Sequence, residues 1–421
     1  MTTAATAGDF SQDMKVLGLI STGHFLSHFY FLVLPPLFVF IKVDLALSYT
    51  ELGLMMSLLY AVAAVAQIPV GFLVDRVGAR IVLTGGLFII SVAFTLVGLA
   101  PAAGQALMGL GLTFDPTYVI ILVILVLGGI GNSVFHPADY AILSSAINPM
   151  RMGRAFSIHT FCGHLGSAVA PAAILFLAYL TNWRLALVIS GLSGIVVMFA
   201  MTSQWNSLDG DVLSRKKEES DAPAEDGAPG EGMALLLSRP MLLFFLFFAA
   251  LAMMASGVQS FLVVGLVGIN VASIEVAGYA LTAFLFASAA GILIGGEIAD
   301  RTHRHNLVAM IAFVITAIIM ISMTIFKPGV ALLVTVMVIA GLSQGIIRPA
   351  RDMMVRAASP KGSTGKVFGF VSAGIAAGAA VAPAIFGAIM DANKPAWVFY
   401  VMAGFMVIAM FSIVLPKPKH Q

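Results

Sequence analysis

Histidine is concentrated in apolar stretches of the first half of this chain, where ionisable side chains are rare. Five of the eight histidines lie there, namely His24, His28, His136, His159 and His164. His24 and His28 are four residues apart, so they share one face of a helix. Neutral imidazoles satisfied by neighbouring polar groups are one explanation. Proton coupling is a second, because histidine titrates near neutral pH, and a path for a transition metal is a third.

Asp139 is the only acid that we place well inside a helix of the first half. It shares a helix face with His136. If that face lines a cavity, Asp139 is a natural proton carrier with His136 as its partner, and these two are the predicted proton-coupling residues. The alternative is an acid at a helix end that pairs with Arg151 or Arg154.

A resident metal is not expected. Cys162 is the single cysteine and lies in an apolar run, so no second thiol is available for a disulfide or a thiolate cluster. No acidic cluster lies beside the pair formed by His24 and His28 in the sequence. We therefore predict a site without a metal and without a cofactor.

A second group of polar residues lies in the tenth apolar run. Arg348, Arg351 and Asp352 are spaced to share one helix face. Two arginines beside one acid leave a net positive charge, which an anionic group of a substrate could neutralise. The alternative is that the helix is leaving the bilayer there and the arginines reach the cytoplasmic surface. The predicted substrate-binding residues are Arg348, Arg351, His24, His28, His136, Gln259 and Gln344.

Composition places these groups in a membrane protein. The apolar fraction is 60%, the charged fraction is 10% and the mean hydropathy is +1.02. A soluble chain has about a quarter charged residues. The net charge of +2, spread over short loops, does not indicate nucleic-acid binding. No Gly-x-x-x-x-Gly-Lys-Ser/Thr or His-Glu-x-x-His motif occurs, so we expect neither ATP-driven transport by this chain nor an enzyme.

Twelve apolar runs are long enough to cross a bilayer, which takes about 20 residues in a helix. They are 16–42, 50–73, 80–100, 117–148, 154–181, 184–204, 240–270, 275–298, 305–327, 329–358, 365–390 and 394–415. Transmembrane barrels are built from short alternating strands, so these long continuous runs exclude a barrel. The sequence predicts an all-α membrane protein with twelve transmembrane helices.

Similar short motifs occur in the two halves of the chain at a constant offset. His136 corresponds to Arg348 at an offset of 212 residues, and a proline follows each of them. Such an internal repeat predicts two pseudo-symmetric six-helix bundles, 1–204 and 239–421, with the working site between them. Residues 205–238 mix both charge signs with proline and glycine, which predicts a flexible cytoplasmic linker.

Lysine and arginine predict the orientation, because they accumulate in cytoplasmic loops. With both termini in the cytoplasm, 16 of the 22 lysines and arginines lie on the cytoplasmic side and 4 lie in outer loops. The remaining two, Arg348 and Arg351, lie within the tenth run. We therefore expect a multi-pass protein of the inner membrane with both termini cytoplasmic.

The loop after the second run combines a glycine turn with charged residues. The predicted residues of a conformational latch are Gly71, Asp75, Arg76, Gly78 and Arg80, with a partial second copy at Asp300 and Arg301. Gly71 would let two helices approach closely, and Gly78 would permit a tight turn. Asp75 could pair with Arg80 or accept hydrogen bonds from a helix start. The alternative is an ordinary positively charged turn without a switching role.

This loop closely resembles the signature loop of the major facilitator superfamily. The resemblance implies a secondary transporter that alternates access to a central site. Residues 129–137 and 153–171 resemble the fosmidomycin-resistance-type branch, whose members export drugs or metabolites. The chain departs from facilitator antiporters that carry an Arg-Gly motif in the fourth helix, because His136 is the only basic residue there. The usual proton-coupling arrangement is therefore not implied.

Together, these features predict a secondary active transporter for a small, anionic organic molecule, coupled to protons and functional as a monomer in the lipid bilayer. One alternative is an exporter of a neutral or cationic compound, and another is uptake of a small carboxylate. A third is transition-metal transport through the histidines. A membrane-embedded sensor or enzyme is the alternative from a different class.

Overall fold

The computed structural model describes residues 10–208, 235–359 and 364–414, which form α-helices and short 3-10 turns without strands. The helices are α1 (Phe10–Phe31), α2 (Phe38–Leu45), α3 (Tyr49–Val77), α4 (Ala79–Gly109), α5 (Thr117–Asn132), α6 (Phe135–Ala146), α7 (Met152–Leu180), α8 (Trp183–Ser203), α9 (Arg239–Gly268), α10 (Ile274–Arg301), α11 (His305–Ile325), α12 (Val330–Ala358), α13 (Thr364–Asp391) and α14 (Pro395–Val414). Within these ranges they form twelve segments able to cross a membrane, with α1 and α2 in the first and α5 and α6 in the fourth.

The prediction of twelve transmembrane helices is confirmed, and most predicted ends lie within a few residues of the observed ones. Two helices are longer than predicted. The first begins at Phe10 rather than at 16, and α4 continues to Gly109, past the predicted end at 100. Both extensions lie outside the predicted runs, and the α4 extension includes Ala102, Ala103 and Ala106, which have high helix propensity.

Proline interrupts two of the twelve segments. Pro35 starts a 3-10 turn between α1 and α2. Pro137 lies in the first turn of α6, just after a break at Ser133 and Val134. A proline has no N–H and cannot complete the hydrogen-bond pattern of the preceding turn, which favours a break or a kink. The break in the fourth segment makes α6 a separate short helix, and α6 carries Asp139.

Packing divides the described chain into two compact units. The first contains residues 10–33 and 62–208, and the second contains residues 34–61, 235–359 and 364–414. These units differ from the predicted halves at one place, because residues 34–61 pack with the second unit. Hydrophobic runs locate a helix in the sequence, but they do not show which neighbours each part of it contacts.

Most of the predicted linker, 205–238, lies outside the described residues. Its ends are described, with a 3-10 turn at Trp205–Leu208 and Ser238 immediately before α9. The linker's flexibility stays a prediction.

In the first unit, α1, α6 and α7 pack against one another and α5 leads into α6. Two polar contacts hold α1 in this arrangement. Asn132 at the end of α5 donates from Nδ2 to the carbonyl oxygen of Ser27 at 2.9 Å. Asp13 near the start of α1 accepts from Arg151, whose Nε lies 2.8 Å away. Because both contacts are largely buried, they hold α1 in place near its start and near its end.

Candidate functional site

The first unit brings one acid and two imidazoles together inside the membrane-spanning region. His24 Nδ1 lies 3.1 Å from Asp139 Oδ2, and His159 Nε2 lies 3.5 Å from the same oxygen. The side chains of Asp139 and His159 are fully buried, and that of His24 is 4% exposed. We call His24, Asp139 and His159 the buried triad.

The Asp139 carboxyl group has only these imidazoles for ionic contact among the described residues. Neither of its oxygens has a hydrogen-bond partner there, and His24 Nδ1 and both ring nitrogens of His159 also lack one. The triad contacts are therefore within ion-pair distance but without hydrogen-bond geometry. An isolated buried carboxylate costs several kcal/mol. The arrangement is stable when the carboxyl group is protonated or when the triad shares a proton or another cation.

The partners of Asp139 differ from those considered from the sequence. The alternative that Asp139 pairs with Arg151 or Arg154 is wrong, because Arg151 forms an ion pair with Asp13 at 2.7 Å. His159 is not among the predicted substrate-binding or proton-coupling residues, but it contacts Asp139 directly. His159 could be noticed in the sequence because it is one of the intramembrane histidines. Its contact with Asp139 could not be predicted, because the sequence does not show which helices are neighbours.

Three more histidines surround the buried triad. The His28 ring is centred 4.7 Å from that of His24, and His28 Nδ1 lies 3.3 Å from Ser167 Oγ. The His164 ring is centred 5.8 Å from that of His28. On the other side, the His136 ring is centred 5.2 Å from that of His24. The structure thus brings all five intramembrane histidines of the first half into one cluster.

This cluster is closed at one end and open at the other. Asp139 and His159 are inaccessible, whereas His136 and Tyr140 are exposed. The Tyr140 ring is centred 5.8 Å from that of His136 and 6.0 Å from that of His159. Ring-to-ring steps of this size can be bridged by a side-chain rotation or by one water molecule. The buried carboxyl group is therefore connected by polar side chains to an accessible surface.

The buried triad also has the composition of a metal site. One donor atom from each of the three residues lies within 4.8 Å of the other two donor atoms. Imidazole nitrogen and carboxylate oxygen are common ligands of transition metals. The sequence showed no acidic cluster beside His24 and His28, but the fold brings the single acid Asp139 into contact with His24. The geometry admits a proton or a divalent cation.

The second unit holds the predicted anion-binding residues on α12. Arg351 Nε donates to Asp352 Oδ1 at 2.8 Å, and its guanidinium group lies 4.5 Å from the centre of the Phe248 ring. Arg348 is half-buried, one turn before Asp352. The i,i+4 spacing of Arg348 and Asp352 also places the same carboxylate near the Arg348 guanidinium group. Two guanidinium groups and one carboxylate still leave this face of α12 positively charged.

The two glutamines predicted to bind substrate have different surroundings. Gln344 Nε2 donates to Thr316 Oγ1 at 3.2 Å and lies 3.4 Å from Met406 Sδ. These contacts join α12 to α11 and α14, so the Gln344 amide serves helix packing in this structure. Gln259 on α9 is half-buried.

The predicted latch residues lie where α3 ends and α4 begins. Gly78 has a φ of +92°, which confirms that the turn needs a residue without a side chain. The close helix approach expected at Gly71 is absent, because a Cβ there would meet no atom within 4 Å. Instead, Gly71 and Asp75 line a cleft of about 340 Å³ together with Pro137 of α6.

The charged latch residues make contacts that the sequence did not indicate. The Arg80 guanidinium group lies 4.8 Å from the centre of the Trp205 ring, just after α8. Arg301 pairs with Glu297, one turn earlier on α10. Arg76 and Asp300 are exposed.

Comparison with known sequences identifies the family of this chain. The family model of the Major Facilitator Superfamily matches residues 20–272 and 249–421. The chain is 25% identical to the "Fosmidomycin resistance protein" of Escherichia coli (strain K12), over 99% of this chain and 97% of that protein. It is 27% identical to the "Probable L-galactonate transporter" of the same organism, over 37% of this chain and 31% of that protein.

Solved structures with the same fold are also transporters. A bacterial homolog of the human lysosomal transporter Spinster, in an inward-facing and occupied conformation, matches with a TM-score of 0.72 at 15% identity, over 97% of this chain and 96% of that one. The nucleoside transporter NupG matches with a TM-score of 0.75 at 14% identity, over 96% of this chain and 100% of that one. At these identities the likeness shows the fold alone. With the family model matching nearly the whole length, the chain belongs to the major facilitator superfamily of secondary transporters.

Proposed function

We propose that this chain is a proton-coupled secondary transporter of a small organic anion, which works as a monomer by alternating access. It lies in the inner membrane with both termini in the cytoplasm, as the distribution of lysine and arginine predicts. The single observation that carries the proton coupling is the contact of the fully buried Asp139 carboxyl group with His24 and His159.

One proton balances the charge of the buried triad. With two neutral imidazoles and an ionised carboxyl group, the triad has a charge of −1, and adding one proton makes it neutral. A neutral triad has a much lower desolvation cost than a charged one in a low-dielectric region. A conformational change that exposes the triad to water lowers the cost of releasing the proton. Proton binding and the conformation of the carrier are thereby coupled.

Away from the ends of α1, α7 and the α5–α6 segment, the other titratable groups among the described residues around the triad are imidazoles, a phenol and a thiol. They are His28 on α1, His136 and Tyr140 on α6, and Cys162 and His164 on α7. Helix α4 also packs on α6, and its single titratable residue is Arg80 in its first turn. Asp139 is therefore the carboxyl group of this region, and His136 and Tyr140 lie at the exposed end, through which a proton would enter.

The anionic substrate is inferred from the charge on α12. Arg351 is engaged by Asp352 and by the Phe248 ring, which orient its guanidinium group. Arg348 adds a second permanent positive charge to the same face, because a guanidinium group stays ionised where a lysine could lose its proton. One relative is named as a transporter of L-galactonate, which is an organic anion. If the substrate moves in the same direction as the incoming proton, the result is uptake, and if it moves in the opposite direction, the result is export.

Two measurements test the proposal. The first is thermal unfolding of the purified protein, which tests for anion binding because a ligand raises the unfolding temperature. L-galactonate and other sugar acids are each compared with the neutral parent sugar. We expect stabilisation by an acid and none by the neutral sugars. In proteoliposomes, an imposed pH gradient should then drive accumulation of that acid, and stabilisation by the neutral sugars alone would contradict the anion proposal.

Transport of a divalent metal through the same histidines is the second candidate, and the observation in its favour is the set of three donor atoms in the buried triad. It predicts that Co²⁺ binds the purified protein with a tetrahedral ligand-field spectrum and is carried into liposomes. Co²⁺ uptake without any stabilisation by organic acids would favour this candidate over the first.

A further inference from the structure

Helix α7 presents three different residues to α1 along a single face. His159, Gly163 and Ser167 follow one another at intervals of four residues, so they lie in one row. The His159 ring is stacked on the His24 ring with centroids 3.9 Å apart, and Ser167 Oγ lies 3.3 Å from His28 Nδ1. Gly163 lies between these two contacts, opposite both imidazoles of α1.

The His24 imidazole fills the space that a side chain at Gly163 would occupy. A Cβ on Gly163 would lie 2.6 Å from His24 Cδ2 and 2.7 Å from His24 Nε2. It would also lie 3.0 Å from His28 Cδ2. Carbon atoms do not approach to 2.6 Å without overlap, so a methyl group at this position displaces the His24 ring. The atoms that it meets belong to side chains, so the rings move before the helices do.

Gly166, three residues further along, has a different role. A Cβ on Gly166 would overlap the backbone carbonyl oxygen of Phe25. Backbone atoms cannot move without shifting the whole helix, so Gly166 permits the close packing of α1 against α7. Gly166 thus permits the packing of the two helices, whereas Gly163 leaves room for an imidazole ring.

The displaced His24 ring cannot keep its contact with Asp139. The ring is stacked on the His159 ring and lies against Gly163, with Nδ1 3.1 Å from Asp139 Oδ2. Any movement away from position 163 changes the relation of Nδ1 to the carboxyl group. We propose that Gly163 is a positioning residue of the proton site, whose missing side chain holds the His24 imidazole against Asp139. This inference rests on the proposed function of the buried triad.

The test uses the full chain in detergent and needs no substrate. Infrared difference spectra recorded across a pH titration show the carbonyl band of a protonated buried carboxylic acid. The carbonyl signal that is missing from the spectra of Asp139→Asn is assigned to Asp139. In Gly163→Ala this band should shift, because its imidazole neighbour has moved, while the unfolding temperature stays close to that of the native chain. Gly153→Ala is the matched control, because a Cβ there meets no atom within 4 Å.

A double substitution keeps the inference testable if Gly163→Ala is poorly folded. His24→Ala removes the ring that the new methyl group strikes, so Gly163→Ala should destabilise the native chain more than it destabilises the His24→Ala chain. Gly166→Ala, whose methyl group would overlap the Phe25 backbone, should be equally destabilising in the native chain and in the His24→Ala chain.

Two results would overturn the role of Gly163. One is an Asp139 band that is unchanged in Gly163→Ala. The other applies if Gly163→Ala is clearly destabilising, and it is a loss of stability that is the same with and without His24. If Asp139→Asn removes no carbonyl band, the proposed proton site is wrong. This result differs from the two above, so failure of the proton site can be told apart from failure of the role of Gly163.

Discussion

The imidazole of His24 on α1 lies 3.1 Å from the carboxyl group of Asp139 on α6, and both side chains are buried. This contact joins the first and fourth membrane segments of the first unit. It turns two isolated ionisable residues into a site that can bind one proton at low electrostatic cost. The predictions below test this site and the residues that support the transport cycle.

Replacing Asp139 with Asn should abolish proton-driven accumulation and leave counterflow of the same substrate near the native rate. The reason is that asparagine keeps the shape of the side chain but cannot take up and release a proton. Transport assays in proteoliposomes with and without a pH gradient measure the two activities. Asp115→Asn is the matched control, because Asp115 accepts hydrogen bonds from Thr117 in a loop outside the membrane segments. Accumulation that persists in Asp139→Asn would place proton coupling elsewhere.

Arg348→Ala should weaken binding of the anionic substrate by about 2 kcal/mol or more, roughly 30-fold in Kd. Arg348→Lys should also weaken it, since lysine lacks the planar group that binds a carboxylate through two hydrogen bonds. Calorimetry on the purified variants measures both. Arg356→Ala, at an exposed position on the same helix, should have no effect. If Arg348→Ala and Arg348→Lys fold and bind with native affinity, the substrate is neutral or cationic.

Asp75→Asn should slow transport much more than it weakens ligand binding. Asp75 is exposed and lines the cleft between α3 and α6, so a movement of these helices in another conformation would change the surroundings of its carboxylate. Turnover in proteoliposomes and Kd in detergent separate the two effects. Asp300→Asn, in the partial second copy of the loop, is the comparison variant. Native turnover in Asp75→Asn would remove its role as a latch.

Asp391→Ala should lower the stability of the second unit by about 1 kcal/mol. Asp391 ends α13, and its carboxylate accepts from the backbone N–H groups of Tyr49 and Thr50 at 2.8 and 2.7 Å, at the positive end of the α3 dipole. Glu51→Gln is the control, because Glu51 accepts from the backbone N–H and the hydroxyl group of Ser48 within the same turn. Thermal unfolding should show a drop for Asp391→Ala, and crosslinking between introduced cysteines near Thr50 and Asp391 should slow. An unchanged crosslinking rate would contradict the link.

Sequence alone was sufficient for the twelve segments, because long apolar runs have no other stable form in lipid. It also identified Asp139 and the histidines, since ionisable residues inside apolar runs stand out. It could not identify their contacts. Helical periodicity shows which residues of one helix share a face, but not which face of another helix is opposite. For that reason Arg151 was considered as a partner of Asp139, although it pairs with Asp13.

The same limit explains the roles of glycine. The sequence suggests close packing wherever glycine occurs in a membrane helix. The structure shows three different outcomes, because a Cβ on Gly166 would meet backbone, one on Gly163 would meet imidazole rings, and one on Gly71 would meet no atom within 4 Å. Which outcome applies depends on the neighbouring helix, so it follows from the fold and not from the local sequence.

Infrared difference spectroscopy of the substrate-free protein across a pH titration tests the central claim most directly, because it reports protonation of a buried carboxyl group. We predict a carbonyl band that is present at low pH, disappears as the pH rises and is absent from Asp139→Asn, while Asp115→Asn retains it. Spectra of Asp139→Asn that are identical to those of the native chain would contradict the account, because Asp139 would then neither bind nor release a proton.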